Sequence, residues 1–155
     1  MNNKAPIHFK IALLEHEQPE QLSYNSFGYI TVQGDGWTVP ASMPNPKMYM
    51  MILESVADLM HKLIVFYSEK RQSMDFDALN SRFYIYLKRK NKTTVEWNIN
   101  GEKKLTLSLT DTMVILKTGI ENFESTFVRH MDHSNPGYGD FMQTFEHFKM
   151  AFNIA

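Results

Sequence analysis

At 155 residues, with 43% hydrophobic and 21% charged side chains, the chain has the size and composition of a globular domain, not a disordered segment. A net charge of −1 supplies no global field toward nucleic acid or membrane, and the absence of cysteine excludes disulfides, a thiolate nucleophile and Cys-ligated metal. No apolar run approaches the ~20 residues needed to span a bilayer, and the start lacks a signal peptide's uninterrupted apolar core, so the expected setting is the cytoplasm.

The charge is unevenly placed. Residues 1–60 carry three basic and six acidic side chains, residues 61–110 ten and five, and residues 111–155 three and six. The middle third is therefore the basic part.

Ile7, Phe9, Ile11 and Leu13 alternate with His8, Lys10, Ala12 and Leu14, a period of two that predicts a strand. Glu15 to Asn25 is polar, contains Pro19 and reads as a loop. Phe27 to Gln33 is rich in aromatic and β-branched residues and reads as a second strand. Gly34-Asp35-Gly36 supplies turn chemistry, and Trp37 to Val39 returns as a short third strand. Asn45-Pro46 has the form of an N-cap with proline at the first helical position. Ile52, Val56, Leu59, Leu63 and Phe66 then fall on one stripe of an amphipathic helix. Ser68 to Asn80 reads as a polar connection anchored by Phe76.

Three amphipathic stretches follow. Phe83, Ile85 and Leu87 alternate with Tyr84, Tyr86 and Lys88. Val95, Trp97 and Ile99 alternate with Thr94, Glu96 and Asn98. Leu105, Leu107 and Leu109 alternate with Lys104, Thr106 and Ser108. Short polar turns between them predict an antiparallel meander over 82–109. Paired residues must share a face, so a two-residue turn at Asn100-Gly101 is disfavoured, because it would set Trp97 against Lys104. A three-residue loop, Asn100 to Glu102, pairs Trp97 with Leu105 and Val95 with Leu107. The same logic with a loop at Lys90 to Lys92 pairs Ile85 with Trp97 and Phe83 with Ile99.

Thr110-Asp111 reads as a helix start, with Leu116, Ile120, Phe123, Phe127 and Met131 at helical spacing and Gly119 as a weak point inside it. Asn135-Pro136-Gly137 reads as a turn. Asp140 would cap a last helix with Phe141, Phe145, Phe148 and Phe152 on one stripe. A single α+β domain over 1–155 is expected, with an antiparallel sheet of about five strands and helices packed mainly on one face.

The candidate chemistry is sparse. His130, Asp132 and His133, with Asp140 and His147 nearby, have a ligand-like mixture of side chains, but match no named metal signature. Histidine at a helix end is also favoured by the macrodipole alone. No metal or other cofactor is assigned. The run Lys88-Arg89-Lys90-Asn91-Lys92 at a hairpin tip would suit phosphates, with Tyr84 and Tyr86 available to stack on bases, yet charged hairpin tips are also simply solvated. Asp75/Asp77 and Glu15/Glu17 read as loop solvation, and no serine has a nucleophile-elbow context. No catalytic residue is assigned.

The meander's polar face remains. Tyr84, Tyr86, Lys88, Glu96, Asn98 and Lys104 form its candidate partner-binding set, because tyrosine flanked by charge and amide groups is typical of protein-binding surfaces. In layout the chain resembles the small cytoplasmic α+β proteins of bacterial toxin–immunity loci. It has a first strand, a Gly-rich hairpin (Gly28 to Val39), a proline-capped helix, a Ser81-Arg82-Phe83 meander and terminal helices. That resemblance implies a non-enzymatic protein that neutralises a cognate toxin by binding it. The rival readings are a small-ligand or nucleotide-handling protein using His130–His133, and a weak nucleic-acid binder through Lys88–Lys92.

Overall fold

The computed structural model describes residues 7–152; residues 1–6, the polar opening of the chain, and residues 153–155 lie outside it. Among the described residues the extended stretches form two antiparallel sheets of four strands each, which corrects the single sheet of about five. The first sheet joins β1 (His8–Leu13), β2 (Phe27–Gly34) and β3 (Trp37–Val39), with the two-residue β4 (Met50–Met51) also on β2. The second runs β5 (Ser73–Asp77), β6 (Tyr84–Arg89), β7 (Thr94–Ile99) and β8 (Lys103–Ser108) in that order. Strand β5 lies inside the segment read as a connection. Its Met74 and Phe76 are buried while Ser73, Asp75 and Asp77 are exposed, so its period of two spans only five residues.

Among the described residues three α-helices complete the fold: α1 (Ile52–Ser68), α2 (Leu109–Thr126) and α3 (Pro136–Ala151). The predicted α1 stripe is buried, but the helix starts later than Asn45-Pro46 suggests. Asn45 does cap, accepting from the Lys47 N–H at 3.1 Å, yet it caps only the 3-10 turn Pro46–Met48. Met50 and Met51 are drawn into pairing with Gly28 and Phe27, and the helix waits for Ile52. The same Asn-Pro signature recurs at Asn135-Pro136. There it opens α3, with Asn135 Oδ1 accepting from the Gly137 N–H at 2.8 Å, so Asp140 is not the cap. Helix α2 opens one residue before Thr110, capped by Ser108. It closes at Thr126, so Met131, though buried, lies beyond it.

Residues of both sheets and all three helices share one continuous buried cluster. Helix α1 packs on α3, β5 and β2, while α2 lies along β1 and reaches β7 and β8. The phenylalanine stripe Phe141, Phe145, Phe148 and Phe152 is buried core, as is Met50 or Met60 among the methionines. Gly119 has a structural reason that outweighs its helix cost. A β-carbon there would strike the carbonyl oxygen and ring of Phe9, so glycine lets α2 settle onto the backbone of β1.

Candidate protein-binding face

The second sheet sorts its side chains by parity. Ile85, Leu87, Val95, Trp97, Ile99 and Leu107 point into the core, and the fully buried Trp97 gives its Nε1–H to Thr112 Oγ1 of α2 at 2.9 Å. The opposite parity makes one polar face. The β7–β8 register is the expected one, with Trp97 opposite Leu105 and Val95 opposite Leu107. Asn100 and Gly101 take positive φ in the connecting turn, which the Glu102 N–H closes onto the Ile99 carbonyl at 2.9 Å.

The β6–β7 pairing is corrected by two residues: Leu87 opposes Trp97 and Ile85 opposes Ile99. The tip lies one residue further along than Lys90 to Lys92. The Lys90 N–H reaches the Thr94 carbonyl at 3.0 Å, and Asn91 Oδ1 organises the tip by accepting from the Thr93 N–H at 3.0 Å. A shift of two preserves parity, so the outward set is unchanged.

Across the outward face the strands align Asp75, Tyr86, Asn98 and Lys104 in one row, and Ser73, Lys88, Glu96 and Thr106 in the next. Four of the six expected residues, Tyr86, Lys88, Glu96 and Asn98, line a shallow hollow of about 210 Å³ together with Asp75. Tyr84 joins them through its ring, whose centroid lies 4.5 Å from that of Tyr86. Lys104 stands opposite Asn98. All six of the expected residues therefore fall on one face.

Sequence reasoning missed Asp75 and Asp77. The structure sets them on edge strand β5 opposite Tyr86 and Tyr84. The signal for them was the alternation of Met74 and Phe76. The Tyr86 hydroxyl donates to Asp77 Oδ1 at 2.8 Å. That hydrogen bond, then desolvation and the charges of Asp77 and Asp75, push Tyr86 up to about 12. The hydrogen bond orients the Tyr86 phenol, which is neutral at physiological pH. The face grades from carboxylates on β5 to Lys104 on β8, with Lys90 Nζ lying 3.6 Å from Glu96 Oε2 between them.

The basic run splits after Lys88, and Arg89 to Lys92 line one cleft on the other side of the hairpin. Lys88 stands on the polar face. Arg89 turns inward and donates from Nη2 to the Phe66 carbonyl and from Nε to the Arg71 carbonyl, both at 2.8 Å. Lys90 and Lys92 remain exposed at the hairpin.

His130, Asp132, His133, Asp140 and His147 are all exposed and are engaged separately or not at all. His133 stacks on Tyr138 with ring centroids 4.1 Å apart, and its Nε2 lies 3.0 Å from the Arg129 carbonyl. Asp132 accepts from the hydroxyl and backbone N–H of Ser134, which hold its carboxyl below the usual range. Asp140 accepts from the Tyr24 hydroxyl. Among the described residues no three such side chains converge on a metal position. Also among them, no helix is long and apolar enough to cross a membrane. Compared with known families, with characterised proteins and with solved structures, the chain finds no match in any of the three.

Proposed function

We propose that this chain is a non-enzymatic protein-binding module that docks a protein partner on the polar face of its second sheet. The supporting observation is the tilted ring pair Tyr84 and Tyr86, half-buried and outward-facing on a four-stranded sheet, with the Tyr86 hydroxyl held by Asp77. Tyrosine offers large contact area at little cost in side-chain freedom, and here the polar tip of Tyr86 is already oriented. The two carboxylates on β5 favour a partner segment carrying lysine or arginine on that side.

The biological role we propose is that of an immunity-type inhibitor, which neutralises a bacterial toxin by occupying it. The layout of strands and helices motivates this role. The test is expression of the adjacent gene's product with and without this chain. The expected result is growth arrest by that product alone, relief on co-expression, and a complex that survives size-exclusion chromatography. A neighbouring product that is harmless and elutes separately would overturn the role.

A further inference from the structure

A second feature lies on the far side of the β6–β7 hairpin, where the end of α1 meets the hairpin tip. A cleft of about 800 Å³ opens there, lined by Lys70, Arg89, Lys90 and Lys92 together with Tyr67 and Leu109, and among the described residues no carboxylate lines it. That volume lies within the range of small-molecule sites, roughly 300–1,000 Å³. Helix C-termini usually repel anions, but two of the last four carbonyls of α1 are engaged. The Phe66 carbonyl accepts from both the Arg71 N–H and the Arg89 guanidinium, and the Val65 carbonyl accepts from the Glu69 N–H. The nearby acids are also engaged, Glu69 with Arg71 at 3.0 Å and Glu96 with Lys90 at 3.6 Å. Among the described residues neither Lys70 nor Lys92 forms an ion pair.

The backbone supplies a separate observation. Among the described residues, three non-glycine residues have positive φ: Asn80, Asn100 and Lys70, the last at 52°. Asparagine is several-fold enriched in the left-handed region and lysine is not, so lysine carries a modest cost there. Lys70 occupies the position just past the α1 cap, where glycine is the usual solution, and the Arg71 N–H to Phe66 carbonyl bond at 3.2 Å completes that motif. A strained lysine where glycine would fit, set in a cleft lined by cations, is a reason to look for an anion.

We infer that this cleft binds a phosphate-bearing small molecule of about nucleotide size, its phosphates on Lys70, Lys90 and Lys92 and its apolar part against Tyr67 and Leu109. The site borders the docking face through the Lys90–Glu96 pair but shares none of its proposed contact residues. The probes are pyrophosphate, ATP and an oligodeoxythymidylate of twelve residues, followed by calorimetry and by amide shifts in a 15N-labelled chain. ATP is expected to bind, with shifts confined to 66–72, 89–93 and 108–110. Lys70→Gly is expected to weaken it tenfold or more while leaving the melting temperature unchanged or higher, a split that a purely structural lysine would not give. Lys62→Gln, on the exposed side of α1, is expected to bind as the wild type does. Absence of shifts with millimolar pyrophosphate and ATP would overturn the inference, as would unchanged affinity in Lys70→Gly. Tighter binding of the oligonucleotide than of ATP would also overturn it, in favour of a strand-tracking surface.

Discussion

Arg89 donates from Nη2 to the carbonyl oxygen of Phe66 at 2.8 Å and lays its guanidinium 4.7 Å from the centre of that residue's ring. One side chain from the second sheet thus closes the last turn of α1 and covers its aromatic core residue. Arg89→Ala is expected to cost about 2 kcal/mol, the scale of hydrogen bonds to a charged group plus a partly buried cation–π contact. Arg89→Lys should recover only part of this, because an ammonium lacks the planar fork that serves two carbonyls. Urea denaturation midpoints of the two variants check both statements.

Glycines 119 and 139 lie in helices yet should respond oppositely to alanine. At Gly119 the added methyl meets the Phe9 carbonyl, and at Gly139 it meets nothing within 4 Å. Gly139→Ala is expected to stabilise by roughly 0.5–1 kcal/mol through helix propensity. Gly119→Ala is expected to destabilise by about 1–3 kcal/mol despite the same propensity, because overpacking dominates. Thermal unfolding of the pair decides whether α2 sits as closely on β1 as the structure has it.

Among the described residues the buried Oε1 of Glu54 has no hydrogen-bond partner, and desolvation raises its carboxyl above the ordinary glutamate value. A raised folded-state value means that the protonated form is the better tolerated one. The penalty for the charged form is absent below the unfolded glutamate range and appears as pH rises through the raised value. Glu54→Gln is therefore expected to raise the unfolding midpoint at pH 7 and to lose that advantage at pH 4. Denaturation curves at the two pH values test the sign.

Tyr86 gives a spectroscopic test of the face itself. Its phenol is pushed up to about 12 chiefly by its hydrogen bond to Asp77. Asp77→Asn removes the charge and most of that preference, so the phenolate absorbance of Tyr86 should appear at lower pH. The difference between titrations of the Asp77→Asn chain with and without Tyr86→Phe isolates it from the other six tyrosines. An unchanged midpoint would mean that Asp77 does not hold the ring.

The meander was legible because three successive strands repeat a period of two, and because parity alone selects the faces. Its finer register was legible at Asn100 to Glu102 and missed by one loop position at the other turn, where the Asn91 side chain sets the tip. Strand β5 was hidden by brevity. Two buried residues, Met74 and Phe76, give too few repeats to stand out, and with them Asp75 and Asp77 passed as loop. Asn-Pro marked two helical starts with equal force. Pairing of Met50 with Gly28 shortened the first into a 3-10 turn, a tertiary contact that no local pattern carries. The inward turn of Arg89 was invisible for a similar reason, since its partners lie 18 and 23 residues away.

The central statement is that the face bearing Tyr84 and Tyr86 makes the partner contact. Titration calorimetry of the partner against the wild type and a Tyr84→Ala/Tyr86→Ala chain tests it directly. Affinity is expected to fall tenfold or more while the melting temperature of the isolated variant stays near that of the wild type. Equal affinity in a folded variant would contradict it.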